Sequence, residues 1–331
     1  MRTLQLLGEK KVRVNEIAKP RPPANAVLVQ VMASGLCKSE FGAYCGHHKK
    51  ESNEGHEVAG VVVDAGGSRR WKKGDRVGVH AVWGCGRCTW CKAGKYTYCP
   101  DRFIMERGHS QFVLAPDHAV CLLPDDCPFD VGVLLTGCTI GHAYHCRSLI
   151  GVQPGDVTVV VGLGPTGLSQ TLMQSWSGAE VIAVDVSAAR LKLAEDLGAA
   201  HCVDSSSVDV IAAISEITDG RLADCAIECA GQPDAIGVAL ASVRPGGKVL
   251  CSGEQGVVPL AINSDLIRRD ITLMGTWYYH YGEYPGLVDC FHRGLSPQKL
   301  ITHRFSLGQA AKAFREYEVG HTGKIIFEPN R

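Results

Sequence analysis

The chain has no surplus of either charge: 34 Lys and Arg stand against 34 Asp and Glu in 331 residues, a formal net charge of zero. Nucleic-acid binding draws on excess Lys and Arg that displace phosphate counterions, so this composition argues against such a partner. No apolar run approaches the roughly 18 residues of a membrane-spanning helix, which argues against a membrane partner. The opening residues, MRTLQLLGEKKVRV, lack the apolar core of a secretory signal and turn charged by Glu9, so the expectation is a cytoplasmic protein. Internal repeats and low-complexity segments are also absent. Hydrophobic residues at 45% and charged residues at 21% are ordinary globular proportions. At roughly 100–200 residues per domain, the length suggests two domains.

Cysteine, by contrast, is plentiful, with 15 in the chain. In a reducing compartment, clustered cysteines read as metal ligands or catalytic groups before disulfides. Cys85, Cys88, Cys91 and Cys99 form one tight cluster, embedded among Gly, Lys and Tyr. Four soft donors with no open position describe a closed tetrahedral zinc site, structural and not catalytic. The remaining cysteines are scattered, and most read as small buried hydrophobes.

Up to about residue 140 the pattern is one of short Val-rich strands between turns, at 27–34, 56–66, 74–80 and 109–116. Such spacing, punctuated by Gly and Pro, suggests an antiparallel, barrel-like domain. After Gly151 the rhythm changes. The continuous apolar run 157–162 reads as a parallel strand buried on both faces. Further strands at 181–185, 200–204, 224–231, 248–253 and 271–275 alternate with helical segments at 187–198, 208–217 and 234–243. This alternation predicts an α/β fold with a doubly wound parallel sheet. A helix at 308–318 and a strand at 323–329 close the chain.

Gly162-Leu163-Gly164-Pro165-Thr166-Gly167 is a G-x-G-x-x-G turn between the first of these strands and a helix. The first glycine allows the tight turn, the second lets pyrophosphate approach the backbone, and the third lets helix and strand pack closely. The helix N-terminus then offers N–H groups and a positive dipole end to phosphate. Asp185 ends the following strand, where a carboxylate bonds a ribose 2′-hydroxyl and repels a 2′-phosphate, which favours NAD over NADP. Arg190 stands close enough to reach the same ribose.

A second metal set is dispersed over Cys37, His56 and Cys138, and spacing alone does not connect the three. A His beside Glu is commonly a hydrogen-bonded pair, and Cys138 reads equally as a core thiol. If they do converge, two thiolates and one imidazole leave a fourth position for water or alcohol, as in a catalytic zinc site.

From Gly35 onward the chain resembles the zinc-containing medium-chain alcohol dehydrogenases. The motifs are Gly35-Leu36-Cys37-Lys38-Ser39-Glu40, Gly55-His56-Glu57, the four-cysteine lobe, Gly74-Asp75-Arg76-Val77, Gly137-Cys138, the glycine turn and Val184-Asp185. The resemblance implies a GroES-like, mostly β catalytic domain over 1–140 with the structural-zinc lobe at 85–99. It also implies a Rossmann domain for NAD over 141–275, and a return to the catalytic domain over 276–331. Catalytic zinc is then held by Cys37, His56 and Cys138, with Glu57 behind it modulating the coordination, giving two zinc ions per chain. The implied reaction is reversible hydride transfer between a secondary alcohol or polyol and NAD, giving the ketone, in a homodimer or homotetramer. The alternatives are an NAD(P)H-dependent aldehyde or ketone reductase and, on the same scaffold, a non-catalytic NAD-binding protein.

The chain also departs from its family. Ser39 conforms, but Glu40 stands where the family usually has Asp as acceptor for the zinc-bound His. Gly42 replaces a relay His found in many relatives, and His142 replaces a Thr that lies against nicotinamide. The candidates to complete the proton route are His47, His48, His142 or ordered water in the space at Gly42. Ala81 stands where relatives acting on small primary alcohols often carry a bulky aromatic, which suggests a roomier pocket. The aromatic stretch Trp277–Tyr284 reads as packing between domains or subunits, or else as a stacking wall for a sugar or cyclitol.

Overall fold

The computed structural model describes residues 1–331 except 48, 49, 51 and 255, so His48 lies outside the described residues. The chain divides into two compact units, one of Met1–Gly141 with Tyr279–Val319 and Lys324–Arg331, the other of His142–Tyr278 with Gly320–Gly323.

The first unit is built on a seven-stranded sheet. Its strands run in the spatial order Ile301–Phe305, Lys324–Phe327, Ala26–Gly35, Glu57–Asp64, Arg76–Val79 and Val120–Leu122, with Phe112–Pro116 also paired to Ala26–Gly35. Val dominates these strands because β-branched side chains pack well on a pleated, half-buried surface. The register sets Gly35 opposite both Glu57 and Ile326, which brings the first zinc-motif strand, the G-H-E strand and the last strand together at one end. Helix Phe129–Thr136 packs against this sheet. Its sequence, FDVGVLLT, is buried over most of its circumference and therefore shows no amphipathic period, so sequence reading does not detect it. A second cluster of apolar side chains includes Leu36, Phe41, Tyr44, Phe314, Tyr317 and Phe327, and it supports the chain just after Cys37.

The second unit is a six-stranded parallel sheet flanked by helices. In chain order its strands are Val157–Val161, Glu180–Asp185, His201–Asp204, Ala223–Glu228, Val243–Cys251 and Thr272–Gly275, and their spatial order is 3-2-1-4-5-6. That is the doubly wound order whose direction reverses beside the first strand, where such sheets bind dinucleotides. All five residues of Val157–Val161 are buried, as a strand covered on both faces requires. Among the described residues no helix is long and apolar enough to cross a membrane.

Candidate metal centres and cofactor site

Cys37 leaves the strand Ala26–Gly35 and opens a short turn, Lys38–Glu40, that runs into helix Phe41–Cys45. Phe41 and Tyr44 anchor that helix on Phe314, with ring centroids 5.6 and 4.6 Å away. His56 directly precedes the strand Glu57–Asp64. Its Nδ1 lies 2.9 Å from the Glu54 carbonyl, which places the proton there and leaves the Nε2 lone pair for a metal. Cys138 sits in the turn between helices Phe129–Thr136 and Ile140–Ile150.

These three segments converge. The Cys37 and Cys138 sulfurs are 3.7 Å apart, and the donor atoms of Cys37, His56, Glu57 and Cys138 all lie within 4.8 Å of one another. A tetrahedral zinc with Zn–S near 2.3 Å sets two thiolates about 3.8 Å apart, so the donor set fits that ion. The three groups also shift one another's protonation. The neighbouring Cys138, and then His56, hold the Cys37 thiol well below its ordinary range against the opposing effect of burial. Cys37, together with burial, pushes Cys138 well above it. Burial opposes charge on His56, but the Cys37 sulfur overrides it and lifts the imidazole to about 10. A divalent cation between the two sulfurs removes the repulsion that keeps them from ionising together.

Behind these donors, Glu57 is fully buried and bonded on both oxygens. Lys324 Nζ and Cys138 Sγ donate to Oε1, and Thr139 Oγ1 donates to Oε2 at 3.1 Å. Lys324 is only 2% exposed. Burial opposes its charge, but Glu57 and the two sulfurs outweigh this and hold it above the ordinary lysine range. The motif glycines make room for the pair: a Cβ at Gly35 would stand 2.8 Å from Lys324 Cε, and one at Gly137 would stand 2.7 Å from Glu57 Oε2. Sequence reasoning overlooked Lys324. The available signal was a lysine heading an otherwise apolar strand, Lys324–Phe327, where an unpaired charge is costly.

The four-cysteine lobe also closes on itself. Cys85, Cys88, Cys91 and Cys99 bring their sulfurs within 4.8 Å of one another, with Cys88 and Cys91 at 3.5 Å. Backbone N–H groups of Arg87 and Cys88 lower the Cys85 thiol to about 6, while burial pushes Cys91 up to about 12. Four thiols and no other donor suit a soft, tetrahedral ion.

The structure also places the other sequence-derived positions. Glu40 accepts the Cys37 N–H at 2.9 Å and pairs with the buried His109 Nε2 at 2.9 Å, whereas His56 uses the Glu54 carbonyl. Glu40 and His56 therefore have different partners in this chain. Ser39 and Gly42 are exposed, and a Cβ at position 42 would meet nothing within 4 Å. His47 is exposed, while His142 is buried in the first turn of Ile140–Ile150. Ala81 is buried, its carbonyl accepting from the Met105 N–H. The hydroxyls of Tyr279, Tyr281 and Tyr284 are already donated to the carbonyls of Thr136, Val120 and Leu122, all in the first unit. These three hydroxyls are thereby committed as donors to the first unit's own backbone.

In the second unit the glycine turn follows Val157–Val161 and opens helix Pro165–Trp176. Gly162 has a φ of 88°, and a Cβ at Gly167 would lie 1.8 Å from the Gly162 carbonyl, whereas one at Gly164 would meet nothing. The open side at Gly164 and the helix start, with Pro165 at N1 and no side-chain cap, leave space and N–H groups for a pyrophosphate. Thr166 lies in the same first turn. Asp185 Oδ2 accepts the Leu163 N–H at 2.6 Å and Oδ1 accepts the Ser187 N–H at 2.9 Å, with Arg190 Nη1 4.0 Å away. The carboxylate therefore also braces the glycine turn.

Two family models match the chain, "Alcohol dehydrogenase GroES-like domain" over residues 23–125 and "Zinc-binding dehydrogenase" over 165–293. The sorbitol dehydrogenase of Bacillus subtilis is 31% identical over 349 residues, covering 100% of this chain and 98% of its own. An uncharacterised zinc-type alcohol dehydrogenase-like protein of Escherichia coli is 31% identical, covering 97% of this chain and 96% of its own. Among solved structures, an Escherichia coli oxidoreductase of unknown specificity superposes with a TM-score of 0.89 at 26% identity, covering 99% of this chain and 98% of the other.

Proposed function

The chain belongs to the zinc-containing medium-chain alcohol dehydrogenases, and from that premise we propose that it oxidises a secondary alcohol or polyol with NAD, reversibly, to the ketone, NADH and a proton. The observation that carries this reading is the convergence of Cys37, His56 and Cys138 from three separate segments into one donor set. When bound there, zinc supplies a Lewis acid that acidifies a substrate hydroxyl, and NAD supplies the hydride acceptor. Cys37 and Cys138 would hold the metal through Sγ and His56 through Nε2, leaving a fourth position for substrate. Cys85, Cys88, Cys91 and Cys99 would hold a second, structural zinc. Glu57, fixed by Lys324 and Thr139, holds a negative charge behind the donor set. Ser39 Oγ, exposed two residues after Cys37, takes up the proton released from the substrate hydroxyl.

The small side chain of Ala81 and the sorbitol-oxidising relative support a polyol or secondary alcohol as substrate. A panel of secondary alcohols, sugar alcohols, cyclitols and small primary alcohols, followed by NADH absorbance, tests this. Secondary alcohols and polyols should lead, and a strong preference for ethanol would overturn the assignment.

NAD is the proposed cofactor because Asp185 places a carboxylate where a 2′-phosphate needs a cation. Asp185→Ser should relax the preference and also lower kcat/KM with NAD by about tenfold to a hundredfold, since a charged acceptor for the Leu163 N–H is lost as well. Initial rates with both cofactors check it. Equal or better rates with NADP in the parent enzyme would overturn the NAD assignment.

A further inference from the structure

The aromatic stretch Trp277–Tyr284 has no part in the reaction as described, yet one of its members lies against the turn that presents Cys138. Tyr279 is wholly buried. Its hydroxyl donates to the Thr136 carbonyl at 2.7 Å, at the end of helix Phe129–Thr136, where the last carbonyls have no partner within the helix. Beyond Cys138, its ring lies directly on Gly141, where a Cβ would come within 2.4 Å of Cδ1. One rigid side chain therefore braces the chain two residues before Cys138 and three residues after it.

Tyr279 is in turn fixed from the four-cysteine side. His80 Nε2 lies 3.1 Å from the Tyr279 carbonyl, with the two rings edge to face at 4.6 Å. The three residues that follow are bound to the lobe itself. Thr97 Oγ1 and His280 Nδ1 are 2.8 Å apart, Tyr281 stacks on Tyr96 at 4.8 Å, and the Gly282 N–H donates to the Gly94 carbonyl at 3.0 Å. The backbones meet so closely that a Cβ on Gly94 would stand 2.8 Å from Gly282 Cα. A continuous set of bonds and packed rings thus runs from the lobe, through residues 280–282 and Tyr279, to both ends of the Cys138 turn.

We propose that Tyr279 is a positioning residue for Cys138, and that the four-cysteine lobe, by anchoring residues 280–282, sets how firmly the Cys37–His56–Cys138 site retains its metal. This rests on the two-zinc reading above. A metal site keeps its ion when its donors are held in place before binding, and the groups that orient the ligands govern affinity alongside the ligands themselves. The two metal centres are then mechanically linked, although no ligand is shared.

The test is the rate at which the zinc-loaded, full-length protein gives up metal to excess chromophoric chelator. The phase belonging to the three-donor site is the one missing from Cys138→Ser. Tyr279→Phe removes one hydroxyl and keeps the ring, and it should speed that phase about threefold to tenfold, the scale of one lost hydrogen bond. Tyr284→Phe removes an equivalent hydroxyl bond, to the Leu122 carbonyl at 2.7 Å, and should leave the phase unchanged. Thr97→Val, which breaks the contact with His280, should speed the same phase while the lobe's own phase stays put. If Tyr279→Phe behaves like Tyr284→Phe, the positioning role is overturned. Parent-like loss from Thr97→Val overturns the link to the lobe. A parent chain that carries a single zinc instead overturns the two-zinc reading, an outcome visible before any variant is made.

Discussion

Lys324→Met is expected to lower the stability of the first unit by about 3–5 kcal/mol and to lower zinc retention, because it leaves Glu57 as a buried, unpaired carboxylate. The charges of the proposed site account for this. A divalent metal, two cysteine thiolates, the Glu57 carboxylate and the Lys324 ammonium sum to zero, and removing the ammonium leaves one uncompensated negative charge in a region where Glu57 is 0% and Lys324 2% exposed. Urea unfolding midpoints and zinc content per chain read the effect. The double variant Glu57→Gln with Lys324→Met should recover much of the stability, since replacing both members of a buried pair by neutral groups costs far less than removing one. A single Lys324→Met variant with the parent midpoint would show that the pair does not hold the site. The ammonium is held above its ordinary pKa, so its contribution is fully present below about pH 10.4 and fades only as the pH rises beyond it. The deficit of the variant should therefore persist throughout the neutral range.

Why Lys324 had to be found in the structure, when Cys37 and His56 stood out only through their resemblance to family motifs, follows from how each signal arises. The cofactor sheet was legible because strands buried on both faces are continuous apolar runs, and Val157–Val161 is entirely buried. The four-cysteine lobe was legible because its donors lie within a few residues of one another in the chain. Cys37, His56 and Cys138 carry no such local signal. Their convergence depends on strand register at Gly35 and Glu57 and on the turn after helix Phe129–Thr136, both of which are tertiary facts. Lys324 and Tyr279 are a step further removed, because each acts on the site from a distant part of the chain. Glu40 was legible only as a departure from the family's Asp; its pairing with His109, and the turn of His56 to a backbone carbonyl, are again tertiary facts.

Ser39→Ala is expected to lower kcat by about 10²–10⁴-fold, the usual scale of general acid–base participation, with a much smaller change in KM and with zinc content intact. Ser39 lies on the turn immediately after Cys37 and is exposed, so its loss should leave the fold undisturbed. A serine hydroxyl can only pass a proton on, and its next acceptor has to be supplied elsewhere in this chain, because Gly42 has no side chain. The space at position 42 is real: a Cβ there meets nothing within 4 Å, and the residue lies in helix Phe41–Cys45 without a positive φ. Gly42→His should therefore be accommodated, placing on this helix an imidazole that titrates near 6.5 when unperturbed. If His142 is the native acceptor, His142→Asn should remove the acidic limb from the pH profile of alcohol oxidation, and adding Gly42→His should restore a limb near pH 6.5. A His142→Asn profile that overlays the parent would pass the role to His47 or to ordered water. An unchanged kcat in Ser39→Ala would remove the serine from the route altogether.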